Sequence, residues 1–185
     1  MKPLKKHATY ADLRDVPEHF IAEMFDGELY ATPRPAPPHT QASSVLGMKL
    51  GAFHRSGPGG WRILDEPELH FGNDVLVPDI GGWRRERMPA LPAEAYFTLA
   101  PDWVCEVLSA STESIDRGQK LRRYAREGVA HVWHIDPMQQ TLEVLALEHG
   151  QWTLLGRHEG GVAVRAVPFD AIALDLGALW AESGW

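Results

Sequence analysis

Cysteine is almost missing from the 185-residue chain, in which Cys105 stands alone. A disulfide within one chain is therefore excluded, which argues against a small secreted scaffold and favours a reducing cytoplasm. The sequence also lacks any apolar run of about 18 residues, so it predicts no membrane-spanning helix. Its basic N-terminal segment is not followed by the apolar stretch of a signal peptide. We therefore expect a cytoplasmic protein.

Positive charge is scarce as well, because 18 Lys and Arg residues stand against 25 Asp and Glu, which gives a formal net charge of −7. This balance opposes indiscriminate binding to nucleic acid, since affinity for phosphates comes largely from clustered Lys and Arg. A nucleic-acid function would need a local basic surface on an acidic body.

Internal repeats, low-complexity tracts and linkers rich in Ser or Gly are missing too. Hydrophobic residues make up 44% of the chain and charged residues 23%, which are values that exclude a largely disordered protein. The length suits one compact domain. We therefore expect a single domain over residues 1–185.

Turn and spacing signals predict most of the secondary structure. Phe20 to Phe25 and Glu28 to Thr32 flank Asp26-Gly27, a pair that favours the positive φ angles of a two-residue hairpin turn. Apolar side chains at helical spacing predict a helix over residues 39–54. The other expected elements are strands at 61–65, 68–71 and 75–77, an irregular loop at 84–101, a second hairpin at 142–156 and a short apolar helix near 174–180.

The segment from Trp103 to Leu108 is almost continuously apolar, as in a strand buried on both faces. Residues 116–119 read Asp-x-x-Gln, a version of the N-terminal capping box, and predict the start of a helix that ends at Gly128. His131 to Ile135 is a second strand of the buried type. Strand, helix and strand in this order predict a crossover between two parallel strands. The expected fold class is α/β, with a mixed β-sheet flanked by helices and an N-terminal hairpin.

Glu106 is the exception in this pattern, because a carboxylate inside an apolar strand costs several kcal/mol unless a cation or hydrogen-bond donors meet it. Lys120 is a candidate partner, since the following helix returns over the strand, and Asp116 and Tyr124 lie one turn either side of it. Asp79 follows another apolar strand and a proline. Two carboxylates that converge from neighbouring strand ends beside a lysine make a hard-oxygen site suited to Mg²⁺.

Each of these signals has a structural alternative. A Pro-Asp pair after an apolar strand is usually only a strand-to-turn signal, and a buried Glu106 beside Lys120 is equally compatible with a structural ion pair. Asp102 also follows a proline, but it lies four residues before Glu106, about 13 Å away along a strand, which is too far to share one ion. Cys105 is disfavoured as a nucleophile because a buried cysteine is usually inert.

Several segments occur together in one order: Val77-Pro78-Asp79-Ile80, Pro101 to Ser109, Asp116 to Lys120 with Tyr124, Gly128-Val129 and Trp133 to Pro137. With these segments the chain resembles the restriction endonuclease family of Uma type, which belongs to the PD-(D/E)xK nuclease superfamily. The resemblance extends upstream to Asp26-Gly27-Glu28-Leu29, the proline-rich stretch and His39, and it covers about residues 8–180.

The resemblance implies a restriction endonuclease-like core and a metal-dependent endonuclease that acts on DNA. It implies that Asp79 and Glu106 bind Mg²⁺ or Mn²⁺ and that Lys120 completes the catalytic set. The superfamily lysine normally stands two residues after the acidic residue, where this chain has Leu108. In the Uma-type branch this lysine has moved to the helix, where Lys120 matches it. The alternative is a catalytically weak nuclease-fold protein that binds DNA or a protein partner.

Further residues are candidates for supporting roles. Glu28 is either an additional acidic group or only a hairpin residue, and His39 either meets a phosphate or caps a helix. Asp116 and Tyr124 share the helix face of Lys120. The residues expected to form a basic footprint for DNA are Arg84, Arg85, Arg117, Arg122 and Arg123. Cutting both strands of a duplex commonly uses two symmetric sites, which favours a homodimer, although no motif specifies one.

Overall fold

The computed structural model describes residues 2–55 and 60–180. The strands in these ranges are β1 (Lys5–Lys6), β2 (Phe20–Phe25), β3 (Glu28–Pro33), β4 (Trp61–Asp65), β5 (Leu69–Phe71), β6 (Asp74–Leu76), β7 (Ile80–Arg84), β8 (Trp103–Val107), β9 (His131–Asp136), β10 (Thr141–Glu148), β11 (Gln151–Glu159), β12 (Ala163–Val164) and β13 (Leu174–Asp175). The helices are α1 (Tyr10–Arg14), α2 (Pro37–Leu50), α3 (Ala52–Arg55), α4 (Glu113–Ile115) and α5 (Leu121–Arg126). A π-helical turn, Asp116–Lys120, joins α4 to α5, and a 3₁₀ turn occupies Gly177–Leu179.

The main sheet has six strands in the order β11-β10-β9-β8-β7-β4. Strands β8 and β9 run parallel on either side of the helical crossover, and the other neighbours are antiparallel, so the sheet is mixed as expected. Every residue of β8 is buried, which agrees with its continuous apolar sequence. Four tryptophans, Trp61, Trp83, Trp103 and Trp133, are fully buried and form much of the core on the two faces of this sheet.

A second, antiparallel sheet has the order β1-β3-β2-β6-β5 and contains the predicted hairpin. Asp26 and Gly27 adopt φ angles of 53° and 75°, as the two-residue turn requires. The long helix α2 follows, and a proline in its first turn fits there because that position needs no backbone donor. Its buried residues Ala42, Leu46 and Leu50 recur every four positions and pack into the core of the main sheet.

Two expected elements are wrong. Residues 174–180 form β13 and the 3₁₀ turn instead of a helix, because Leu174 and Leu176 are buried on either side of an exposed Asp175, which is a strand period of two. Asp116 does not cap a helix, since the helical segment already begins at Glu113. No helix in the described ranges has the length and apolar character needed to cross a membrane.

Candidate active site

Asp79 and Glu106 lie side by side at one edge of the main sheet. The antiparallel register of β7 and β8 pairs Ile80 with Cys105, so Asp79, the residue before β7, lies opposite Glu106. The backbone N–H of Val107 donates a hydrogen bond of 2.7 Å to Asp79 Oδ2 and fixes the carboxylate. Sheet pairing therefore places two carboxylates together that are 27 residues apart in the chain.

Lys120 meets Glu106 inside the protein. Its Nζ lies 2.8 Å from Glu106 Oε1 and 2.9 Å from Oε2, and the Tyr124 hydroxyl donates a hydrogen bond of 2.6 Å to Oε1. The same ammonium lies 3.1 Å from Glu23 Oε1 and donates to the carbonyl of Val77 at 3.2 Å. The Lys120 side chain is only 3% exposed, so the buried carboxylate in β8 has the cationic partner that its sequence context demands.

Two charged residues of the crossover face inward from a π-helical turn. A π turn closes with i→i+5 hydrogen bonds, so it contains one residue more than an α turn and widens the helix locally. Asp116 and Lys120, its first and last residues, are both buried, with Asp116 Oδ1 3.6 Å from Lys120 Nζ. Such single π turns occur often at functional sites.

His39 approaches the carboxylates from the first turn of α2. Its Nε2 lies 3.3 Å from Asp79 Oδ1, and its side chain is 12% exposed. Burial lowers the pKa of this imidazole, but the hydrogen bond and charge of Asp79 outweigh burial and raise the pKa above its ordinary value. The structure therefore brings His39 to a carboxylate, and the expectation that it meets a phosphate stays a prediction.

These side chains share one cavity of about 330 Å³. Its charged lining consists of Glu23, Asp79, Glu106, Asp116 and Lys120, with His39 and Arg34 nearer the proline-rich segment at residues 32–36. Four carboxylates thus face a single buried ammonium. A cavity with this excess of negative oxygen ligands attracts cations.

The pKa values in the cavity follow from burial and from this crowding of charge. Burial raises the pKa of Glu106 well above its ordinary range and that of Asp116 to about 6, and neighbouring carboxylates add to both shifts while Lys120 opposes them. Burial alone would lower the pKa of Lys120, but Glu106 and Glu23 outweigh it and keep the ammonium charged. Burial also raises the pKa of the Tyr124 hydroxyl, which stays a hydrogen-bond donor.

The shifted pKa of Asp116 predicts a specific pH dependence of stability. Its pKa is 3.8 in an ordinary setting and about 6 here, so the folded protein holds this proton more tightly than the unfolded chain. Stability from this group is present below about pH 4 and is lost as the pH rises through 6, by up to about 3 kcal/mol. We expect the free energy of unfolding of Asp116→Asn, measured by urea denaturation, to lose this part of its decrease between pH 4 and 7. Asp170→Asn, at an exposed position, should retain the parental slope, and an unchanged slope in Asp116→Asn would contradict the assignment.

Several residues expected near the site lie elsewhere. Glu28 accepts a hydrogen bond of 2.8 Å from the Tyr30 hydroxyl and does not line the cavity. Asp102, at the other end of β8 from Glu106, accepts the backbone N–H of Arg84 at 2.7 Å and pairs with Arg87 at 2.7 Å. It is a strand-entry residue in the structure, as the spacing predicts.

The five arginines expected to form a basic surface for DNA do not lie together in the structure. Arg84 stacks over Trp61 and Arg85 donates to the carbonyl of His54, both at the end of β7 that is far from Asp79. Arg123 is 4% exposed and pairs with Asp26 and Asp74. Arg117 pairs with Glu113 and Glu143, and Arg122 is exposed on α5. None of these five arginines lines the cavity, and Arg123 is buried in ion pairs.

Glu23 is the cavity residue that the sequence reasoning missed. It lies in β2 within the apolar sequence FIAEMF and is 7% exposed. Its Oε1 accepts the backbone N–H of Val77 at 2.8 Å and contacts Lys120. The signal that singled out Glu106, a carboxylate inside an apolar strand, was present here too, but the hairpin pattern accounted for the segment without it.

Comparison with known proteins assigns the chain to a family. One family model, Uma2, described as "Putative restriction endonuclease", matches residues 8–177. The chain belongs to the Uma2 family. The resemblance seen in the sequence is thereby confirmed, and the family description together with the fold points to a nuclease.

A solved structure of similar fold is the crystal structure of a "putative nuclease belonging to DUF820" from Anabaena variabilis ATCC 29413. It shares 22% sequence identity and superposes with a TM-score of 0.75, over 93% of this chain and 97% of that chain. At this identity the comparison establishes the shared α/β fold. No match was found among curated proteins.

Membership of the Uma2 family implies a divalent metal ion, and the chemistry of the cavity fits one. Its ligands are carboxylate oxygens, which hard cations such as Mg²⁺ and Mn²⁺ prefer. Within residues 2–55 and 60–180, no three Asp, Glu, His or Cys side chains are already arranged to hold an ion. Both Glu106 oxygens contact Lys120, and Tyr124 also donates to one of them. A cation would therefore share Glu106 with the ammonium and compensate the excess negative charge.

Proposed function

We propose that this Uma2 protein is a divalent-metal-dependent endonuclease that hydrolyses phosphodiester bonds of DNA. The observation that carries the proposal is the convergence of Asp79, Glu106 and Lys120 in one cavity at the edge of the mixed sheet. Two hard-oxygen ligands beside a buried ammonium are the groups that metal-assisted phosphodiester hydrolysis needs.

The roles of the residues follow from their contacts. Asp79 and Glu106 would hold Mg²⁺ or Mn²⁺, and such an ion polarises a phosphate oxygen and lowers the pKa of water. Lys120, fixed between Glu106 and Glu23, places a positive charge where negative charge develops on the phosphoryl oxygens. Tyr124 keeps one Glu106 oxygen oriented through its hydrogen bond. Asp116 adds negative charge next to Lys120, and His39 lies next to the Asp79 carboxylate.

The DNA substrate and the number of copies of the site complete the proposal. An exposed basic side chain near the crossover, such as Arg122, would contact the phosphate backbone. The net charge of −7 predicts that such binding is weak at physiological salt and weakens further as salt is added. Cutting a duplex on both strands would use two copies of the site.

One observation favours a second candidate, a nuclease-fold protein that binds DNA or a protein without cutting. The ammonium of Lys120 contacts both Glu106 oxygens at less than 3 Å, which is also the geometry of a purely structural ion pair. The two candidates differ in whether the folded chain binds a divalent cation.

The test uses the purified chain with Mg²⁺, Mn²⁺ or EDTA, with KCl added to equalise ionic strength. We expect nicking or cutting of circular DNA with either metal and none with EDTA. We also expect a rise of Tm by roughly 5–10 °C at metal concentrations about 100 times Kd, because a ligand of the folded state alone stabilises it. Parallel reactions on single-stranded DNA and RNA define the substrate.

The absence of both cutting and a metal-dependent rise of Tm would contradict the proposal and favour the binding protein. A metal-dependent rise of Tm with cutting of RNA alone would retain the metal site and correct the substrate.

A further inference from the structure

A row of polar side chains extends from the candidate active site across one face of the main sheet. The strand registers pair Glu106 with His134 and His134 with Glu143, so the three side chains point to the same side. His134 is 1% exposed and Glu143 is 9% exposed. The proposed chemistry uses Glu106 but leaves the two other buried groups without a role.

Glu143 is the junction of this row, because each of its oxygens pairs with a different arginine. Arg117 Nη1 donates to Glu143 Oε2 at 2.5 Å, and Arg157 Nη1 donates to Oε1 at 3.2 Å. Arg117 also donates through Nε to Glu113 at 2.8 Å. Charged hydrogen bonds of this kind, when partly buried, are stronger than exposed ion pairs.

His134 lies between these charges, and its Nδ1 is within hydrogen-bond distance of Arg117 Nη1. Its Nδ1 is 3.4 Å from Arg117 Nη1 and 3.8 Å from Glu143 Oε2. Burial and the neighbouring guanidinium lower the pKa of His134 to about 4, so the ring is neutral at physiological pH. The charged partners of Arg117 are therefore Glu143 and Glu113, and the neutral imidazole is an additional acceptor.

Arg117 belongs to the π-helical turn that carries Asp116 and Lys120. On the other side of the same turn, Gln119 Nε2 donates to the Tyr30 hydroxyl at 3.3 Å, which ties the turn to the hairpin sheet. Besides Lys120, whose ammonium contacts Glu106 in β8 and Glu23 in β2, the turn is held to β10 through Arg117 and to β3 through Gln119. Of these two contacts, the one through Arg117 is the shorter and the charged one.

We propose that Arg117 and Glu143 are positioning residues, which hold the π-helical turn on the main sheet so that Asp116 and Lys120 face the cavity. This inference rests on the proposed function for the consequence of the positioning, but the positioning itself is measurable without it. Neither residue touches the substrate in this scheme. Loss of the Arg117–Glu143 pair lets the turn move, and the ammonium and the Asp116 carboxylate lose their fixed places.

The variant is Glu143→Gln, and its control is Glu148→Gln on the same strand. Glu148 is exposed and accepts a hydrogen bond only from the Thr153 hydroxyl among the contacts described, so its substitution leaves the row intact. Hydrogen exchange of the amides at 116–121 is measured at a pH where both variants are folded. We expect about tenfold faster exchange in Glu143→Gln, confined to this segment, and parental rates in Glu148→Gln.

The second measurement is the Kd for Mn²⁺, obtained by calorimetric titration, together with the rate of DNA cutting. We expect Glu143→Gln to bind Mn²⁺ about tenfold more weakly and to cut more slowly at saturating Mn²⁺, as when the partner of a metal-site residue is removed. Arg117→Lys, which keeps the charge but not the forked geometry, should fall between the parent and Arg117→Gln. In the double variant Arg117→Gln/Glu143→Gln the total loss should be smaller than the sum of the two single losses, because both substitutions remove the same Arg117–Glu143 pair.

The outcomes separate the two proposals. Unchanged exchange at 116–121 in Glu143→Gln overturns the positioning inference whatever the activity of the parent. Faster exchange with parental Mn²⁺ affinity and cutting rate also overturns it, since the pair would then serve stability alone. A parent that neither binds Mn²⁺ nor cuts, combined with faster exchange in the variant, refutes the proposed function and leaves the tether to β10 established.

Discussion

Replacement of Asp79 by asparagine is expected to slow DNA cutting by at least about 100-fold and to leave the fold intact. A metal ion at a phosphoryl group contributes several kcal/mol of stabilisation, and each 1.4 kcal/mol corresponds to a tenfold rate. Asparagine keeps an oxygen that accepts the Val107 N–H, so the hydrogen bond to β8 survives while the charge is lost. The measurement is the cutting rate at saturating Mn²⁺, with circular dichroism to confirm folding. The metal-dependent rise of Tm should shrink in parallel.

The matched control for this variant is Asp102→Asn, because both aspartates follow a proline and both accept a backbone N–H. Asp102 lies at the opposite end of β8 from Glu106, so its loss removes the ion pair with Arg87 and nothing in the cavity. We expect a small loss of stability and a parental cutting rate. Equal rates in Asp79→Asn and the parent would remove Asp79 from the site, and loss of cutting in Asp102→Asn alone would reverse the assignment.

Lys120→Met is expected to lower the free energy of unfolding by about 3–5 kcal/mol, because it leaves Glu106 and Glu23 buried without a cation. This corresponds to a fall of Tm of roughly 10 °C for a chain of this length. Methionine fills a similar space, so the loss measures charge and not a cavity. The fall should be smaller at pH 5 than at pH 8, since Glu106, whose pKa is already raised, takes up a proton once the ammonium is gone. Urea denaturation at the two pH values is the measurement.

Two further variants define what this loss means. Lys6→Met breaks an exposed pair with Glu28 at 3.6 Å and should change stability by less than about 1 kcal/mol. The double variant Lys120→Met/Glu106→Gln removes the buried charge with its partner and should recover part of the stability while DNA cutting stays lost. If Lys120→Met were as stable as the parent, the ammonium would not be needed to compensate the buried charges of Glu106 and Glu23.

The parts of the site that follow from strand pattern could be predicted from the sequence. A carboxylate in the continuous apolar run of β8 demanded a buried partner, and Lys120 on the returning helix is that partner in the structure. The parallel pairing of β8 and β9 followed from two buried strands joined by a helix. Such inferences succeed because burial of a charge without a partner is too costly to occur.

Other parts depend on contacts that no local pattern records. The hairpin pattern predicts β2 but does not indicate that Glu23 is buried beside Lys120. Residues 116–119 have the spacing of a capping box, yet Asp116 lies inside a helical segment that already begins at Glu113, and its buried carboxylate lies 3.6 Å from the Lys120 ammonium. Arg84 and Arg123 look like a free basic surface in the sequence, and only three-dimensional packing shows them held by Trp61 and by Asp74.

The π-helical turn makes the candidate site depend on the number of residues in the crossover as well as on their identity. An α-helical turn advances about 100° per residue, so insertion of one residue between Asp116 and Lys120 would rotate all that follows by about that angle relative to α4. Lys120 and Tyr124 would then leave the side of the helix that Asp116 occupies, although every charged group remained in the chain. Substitutions in this segment change individual contacts, whereas a single insertion would separate the ammonium and the hydroxyl from Glu106 at once.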